Sequence, residues 1–208
     1  ASQFLGYDRL ALCKNGPLEK LNSTVISQPA IYVSSLAALD LLNSEAPDAA
    51  QSCQITAGLS LGEYSALTFA GAISFADGVA LVKERGEAMQ AASEKISSGM
   101  LSVIGAEKEQ IAELCQEVAK IGLIKMANFL CPGNIVVSGD NQACAMFEKI
   151  ALEKGIRTIK LAVAGAFHTA IMEPALERLA KILSNTSIAS TKVPVLANVD
   201  ALEHTDPT

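Results

Sequence analysis

A serine stands between two glycines in Gly58-Leu59-Ser60-Leu61-Gly62, and the 208-residue chain has two histidines, His168 and His204, that could serve it as a base. A serine hydroxyl is a poor nucleophile until a base takes its proton. The G-x-S-x-G spacing fits a nucleophile elbow, a strained strand-to-helix turn that exposes the hydroxyl at the top of a sheet and leaves no room for bulk beside it. In such a turn the N–H of Leu61 points at a developing oxyanion, and the helix that starts there adds partial positive charge. The plainer reading makes Ser60 the N-cap of a glycine-rich turn.

His168, in "AVAGAFHTAIMEP", follows a strand-like run and a glycine turn and precedes a helix. Catalytic side chains converge at such junctions, although a lone histidine also serves structural ends. His204 sits among Glu203, Thr205 and Asp206 and reads as a solvated residue of a polar tail. Arg85 shares a helix face with Leu81, Val82, Ala88 and Met89. Either its stem lies on the core with its head in water or it makes a structural salt bridge, or a buried guanidinium is set to take a carboxylate through two parallel hydrogen bonds. Lys83 and Glu84 on the same helix read as facing solvent.

These side chains need a scaffold. Residues 28–42 carry apolar residues at helical spacing after a Gln-Pro start and predict an amphipathic helix. "CQITAGLS" predicts a short buried strand running into Gly58, Leu61–Ala72 a helix, and Asp77–Ala92 another. From Gly99 the order becomes strand ("GMLSVIG"), helix ("KEQIAELCQEVAK"), two strands ("IKMANF", "NIVVSG") around the turn "LCPG", helix ("NQACAMFEKIALEKG") and strand ("RTIKLAV"). That order is the split βαβ, or ferredoxin-like, unit. It is expected over 98–163 as an insertion between 1–97 and 164–208, which together form a larger α/β body. "MEPALERLAKILSN" and "VPVLANVD" add a helix and a strand to that body.

Composition narrows the function classes. Half the residues are apolar and 18% are charged, an ordinary folding composition. A net charge of −6 argues against a general nucleic-acid binder. The five cysteines form no C-x-x-C pair, which argues against structural zinc and against a full disulfide framework. A reducing compartment is the simpler expectation. No apolar run reads as long enough to span a membrane. The opening "ASQFLGYD" and the closing "HTDPT" suggest part of a longer protein.

The stretches "GLSLGEYSALTFAGAISFADGVALVKERGEAMQ", "GML", "ANFLCPGNIVVSG", "AVAGAFHTAIMEPA" and "VPVLANVDA" together resemble the malonyl-CoA:acyl carrier protein transacylases, collinearly from about Gln28 to Ala201. The resemblance implies an α/β fold: an α/β-hydrolase-like larger subdomain with an inserted ferredoxin-like (βαββαβ) small subdomain. It implies Ser60 as the acylated nucleophile, His168 as its base, Leu61 as one oxyanion donor and Arg85 as the clamp for the malonyl carboxylate. Asn128 then lies near the site and helps to position the histidine loop or the substrate. The implied substrates are a coenzyme A thioester and acyl carrier protein, with no metal or redox cofactor, no nucleic acid, no membrane, and a monomer as the working unit.

Several residues depart from the commonest pattern of that family. Leu59 stands where most bacterial relatives carry histidine, a variant that resembles the plant and algal enzymes and implies a plastid, with a bacterial cytoplasm as the alternative. Thr169 replaces a serine but keeps the hydroxyl. The resemblance further implies a G-Q-G segment supplying a second oxyanion donor, and a downstream carbonyl orienting the histidine; neither stands among these residues. Lys154, Arg157 and Lys160 are candidates to receive an acidic carrier protein, or simply a solvated face. A serine hydrolase or thioesterase, and a non-catalytic fragment, are the rival functions. Free malonate as product marks the first, and an unreactive Ser60 the second.

Overall fold

The computed structural model describes residues 1–207. Five helices open the chain: α1 (Ser2–Leu5), α2 (Arg9–Asn15), α3 (Leu18–Leu21), α4 (Thr24–Glu45) and α5 (Pro47–Gln51). Then come β1 (Thr56–Ala57), α6 (Gly62–Phe69), α7 (Phe75–Ser93), β2 (Ser98–Ile104), α8 (Lys108–Val118), β3 (Ile124–Cys131), β4 (Asn134–Asp140), α9 (Asn141–Glu153) and β5 (Arg157–Lys160). A 3-10 turn, Ala170–Met172, leads into α10 (Glu173–Leu183), and β6 (Val195–Leu196) and β7 (Glu203–His204) follow. The chain is α/β, and it divides into two compact units: Ala1–Leu21, Val25–Gly86 and Arg178–Thr208 form one, and Asn22–Thr24 with Glu87–Glu177 form the other.

In the second unit the expected ferredoxin-like arrangement is present. Its sheet runs in the order β3-β4-β2-β5, every pair antiparallel. Period-two patterning sends Leu101, Val103, Ile135 and Val137 to the face that α8 and α9 cover, against Ile111, Leu114, Val118 and Phe147. Burying each such side chain contributes roughly 1.5–3 kcal/mol. Local chemistry sets the helix starts: Glu107 and Gln110 close a capping box on α8, and Asp140 caps α9 through the N–H of Ala143. A Cβ on Gly139 would fall 2.2 Å from the Leu123 carbonyl, so no larger residue fits there, and one on Gly122 would fall 2.4 Å from the Asp140 carboxylate and displace that side chain.

The first unit rests on much shorter strands. β1 and β6 pair in parallel over two residues each, and β6 turns back to pair antiparallel with β7. Its core gathers Leu5, Tyr32, Val33, Leu61, Val79 and Val82. The predicted strand at 53–60 shrinks to Thr56–Ala57, and that at 193–200 to Val195–Leu196, because each has only the other's brief edge to pair with. Helix α4 begins at Thr24 rather than after Gln28, with Pro29 inside it. Pro29 stands in the second turn, so the bond forgone is a single one to the Val25 carbonyl. By length and composition α4 also passes as a membrane-crossing helix, which the sequence reading did not find. Its residues Tyr32 and Val33 pack into the core of this unit.

Candidate active site

The turn from β1 into α6 is an elbow. Ser60 adopts φ +50°, a left-handed conformation that costs a non-glycine residue roughly 1–3 kcal/mol. Of the two flanking glycines only the first is required by contact: a Cβ on Gly58 would lie 2.0 Å from the backbone carbon of Gly62, whereas a Cβ on Gly62 would meet nothing within 4 Å. Three hydrogen bonds fasten the turn to Asn198, two residues beyond β6. The Ser60 N–H donates to Asn198 Oδ1 at 2.8 Å, Asn198 Nδ2 donates to the Gly58 carbonyl at 2.6 Å, and the Asn198 N–H donates to Glu63 Oε1 at 2.9 Å. Among the described residues the Leu61 N–H meets no acceptor.

Arg85 comes to this serine from α7. Its Nη2 donates to Ser60 Oγ at 2.8 Å, its Nη1 donates to Gln28 Oε1, and its guanidinium carbon lies 5.7 Å from the centre of the Tyr64 ring. Both Arg85, at 9% exposure, and Gln28, at 6%, are buried. The choice left open by the helix pattern is therefore decided for the buried guanidinium. Burial pushes the Arg85 pKa down, and the neighbouring Tyr64 and Glu63 oppose that shift. Tyr64 is pushed up by its own burial, with Arg85 pulling the other way. An arginine remains charged in any such setting, and among the described residues its hydrogen-bonding partners Ser60 and Gln28 are neutral.

His168 and Asn128 belong to the other unit. His168 is exposed and also left-handed, at φ +59°. The chain around it is held on both sides. The Ala166 N–H donates to Ser98 Oγ at 3.0 Å, and the Thr169 hydroxyl donates to the Ala166 carbonyl at 2.7 Å and accepts from the Ile171 N–H at 3.2 Å. Gly165 packs against α7, where a Cβ would come within 2.5 Å of Ser93 Oγ. Thr169 thus caps the 3-10 turn through its hydroxyl. Asn128 lies half-buried on β3 beside a register shift, a bulge of the kind that re-aims a side chain.

Two other sequence readings meet the structure here. His204 is exposed as expected, with Nε2 at 2.9 Å from Asp200 Oδ2. Glu84, read as facing solvent, is half-buried and accepts from Arg178 Nε at 2.6 Å. Gln28, Tyr64 and Asn198 were not singled out from the sequence. In the sequence Gln28 marks only a helix start, and Tyr64 is the α6 residue one turn beyond Ser60. The asparagine that closes the apolar run "VPVLAN" was the one signal that could have pointed to Asn198.

The chain is similar to known proteins over nearly its whole length. Residues 5–208 match the acyl transferase domain model. The mitochondrial malonyl-CoA-acyl carrier protein transacylase of Homo sapiens is 42% identical over 216 residues, covering 100% of this chain and 55% of that protein. The malonyl CoA-acyl carrier protein transacylase of Salmonella typhimurium is 38% identical, over 99% of this chain and 66% of its own length. The solved structure of the Coxiella burnetii malonyl CoA-acyl carrier protein transacylase superposes with a TM-score of 0.91 at 34% identity, covering 99% of this chain and 65% of that one. A malonyl-transacylase solved in complex with its type II PKS acyl-carrier protein gives a TM-score of 0.91 at 35% identity, over 99% of this chain and 66% of that one. The chain spans little more than half the length of the human relative and about two thirds of the bacterial ones. With the serine elbow, the buried arginine and the matching order of elements, the chain belongs to the acyl transferase family.

Proposed function

We propose that the protein transfers a malonyl group from malonyl-CoA to the phosphopantetheine thiol of acyl carrier protein through a malonyl-serine intermediate, supplying fatty acid synthesis. The observation that carries this reading is the buried Arg85 guanidinium, 2.8 Å from the hydroxyl of an elbow serine. A carboxylate two carbons from a thioester carbonyl can pair with the arginine while that carbonyl lies against Ser60.

In this mechanism His168 takes the hydroxyl proton as Ser60 Oγ attacks the thioester carbon. The oxyanion is held by the Leu61 N–H and by a donor from outside this chain. The carbon–sulfur bond breaks, coenzyme A leaves as its thiol with the proton from His168, and malonyl-Ser60 remains. His168 then deprotonates the carrier thiol, which attacks the ester, and the proton returns to Ser60 Oγ as malonyl-carrier protein departs. Asn128 helps to position the histidine loop or the substrate. The ferredoxin-like insertion is taken as residues 98–163, and the protein is taken to act as a monomer, without metal or redox cofactor. The Gly-Leu-Ser-Leu-Gly variant supports a plastid location, with a bacterial cytoplasm the alternative.

The test is incubation with malonyl-CoA, acid quench and peptide mass spectrometry. A malonyl adduct on the Ser60 peptide, absent in Ser60→Ala, is the expected result. No adduct in the unmodified protein would end this reading. With carrier protein added, malonyl-carrier as product supports transfer, and free malonate would make the protein a hydrolase.

A further inference from the structure

We propose that Asn198 is the positioning residue of the elbow: it occupies the Ser60 N–H and the Gly58 carbonyl and leaves the Leu61 N–H as the elbow's donor for a developing oxyanion. The proposal rests on the acyl-transfer reading and adds a residue which that reading leaves without a role. Asn198 does not touch substrate; it acts through Ser60.

The side chain uses both ends of its amide on one turn. Oδ1 accepts from the Ser60 N–H at 2.8 Å, and Nδ2 donates to the Gly58 carbonyl at 2.6 Å, so the two peptide units flanking Leu59 are tied to a single planar group. This demands a residue with an acceptor and a donor side by side. An aspartate would set a carboxylate oxygen against the Gly58 carbonyl. The parallel register explains the placement. Ala57 pairs with Leu196, so Asn198 lies just past the carboxyl end of the strand beside the elbow, where side chains serve sites in α/β sheets.

Asn198 is itself held. Its N–H donates to Glu63 Oε1 at 2.9 Å, and the hairpin behind it closes through Ala197 N–H to the Leu202 carbonyl at 3.0 Å. Ala201 takes a left-handed φ of +58° to make that turn. Ser60, Asn198 and Glu63 thus form a closed ring of contacts around a left-handed serine. The ring gives Glu63, the residue after the second glycine, a purpose: its carboxylate grips the segment that carries Asn198. Loss of the ring lets the peptide units at 58–60 rotate, which misplaces both the hydroxyl and the neighbouring N–H.

The test compares Asn198→Ala with the unmodified protein in two assays: malonyl transfer, and the rate at which a fluorophosphonate labels Ser60, followed by mass spectrometry. We expect kcat to fall by about 10²-fold, the scale for misplacing reacting groups by roughly 1 Å, with KM little changed. Labelling should slow by a similar factor. Labelling at the unmodified rate, or a loss confined to KM, would overturn the proposal. If Asn198→Ala shows no folded circular dichroism spectrum, the Glu63 pair decides. Glu63→Ala should slow labelling, and Glu63→Gln, which keeps an acceptor oxygen, should recover most of the loss; equal losses in the two would count against it. An unmodified protein that the fluorophosphonate labels but malonyl-CoA does not would end the acyl-transfer reading, while the labelling ratio still judges Asn198.

Discussion

The two units are held together by different means. In the ferredoxin-like unit, strands of four to eight residues pair along their length and an apolar layer of Leu, Ile, Val and Phe closes under two helices. In the elbow unit the strands are two residues long, and the decisive contacts are polar and far apart in sequence: Asn198 to Ser60 across 138 residues, Arg85 to Gln28 across 57. The first arrangement tolerates replacement at most surface positions because its energy is spread over many contacts. The second concentrates its geometry in a few side chains, as a catalytic turn requires.

Substitutions should separate the two kinds of construction. The largest effect is expected for Ser60→Ala, which should lower kcat for malonyl transfer by about five to six orders of magnitude while leaving the circular dichroism spectrum unchanged. Arg85→Ala follows. Leaving a carboxylate without its buried partner costs roughly 3–5 kcal/mol, so kcat/KM with malonyl-CoA should fall by about 10²- to 10⁴-fold. Acetyl-CoA, which brings no carboxylate, should lose less or gain. Equal losses with both substrates would remove Arg85 from the clamp role.

The remaining contrasts fall on the other unit. Phe147, fully buried against α8 and the sheet, should cost about 3–5 kcal/mol of stability when replaced by alanine. Denaturant titration and faster amide exchange in β2 and β4 would record the loss, with kcat per folded molecule close to that of the unmodified protein. A change in kcat matching that of Arg85→Ala would break the division drawn here.

The smallest effect is a pH slope. Burial, with Cys144 adding to it, pushes the Cys115 thiol up from 9.0 to about 11. The folded state therefore resists ionisation that the unfolded chain allows. The stability this thiol contributes is complete below about pH 9 and is lost as pH rises towards 11. Thermal melts between pH 8 and 11 should show the decline, and Cys115→Ala should make it shallower.

The same contrast governs what the sequence could reveal. Helices at 108–118 and 141–153, and strands at 98–104 and 134–140, lie within two residues of their expected ends, because periodicity and capping residues are local signals. The βαββαβ order then had one natural reading. Ser60, His168 and Arg85 also stood out, since glycine spacing, scarcity of histidine and a charge on an apolar face are visible along the chain. The roles of Gln28 and Asn198 did not. An asparagine at the end of an apolar run is unremarkable until the fold brings Gly58 to meet it. The two-residue strands were overestimated for a related reason: the length of a strand is set by its partner's edge, and apolar content alone does not disclose that edge.

The hydrogen bond from Arg85 Nη2 to Ser60 Oγ has a further consequence for the order of events. A donor on Oγ engages one of its two lone pairs and draws charge from the oxygen, so the contact dampens the hydroxyl while it lasts. An arriving carboxylate competes for the same nitrogen, and by drawing it away it frees the serine. On the proposed reading, recognition and arming become one act: a thioester without the acid group meets a nucleophile still engaged, and water meets the same one.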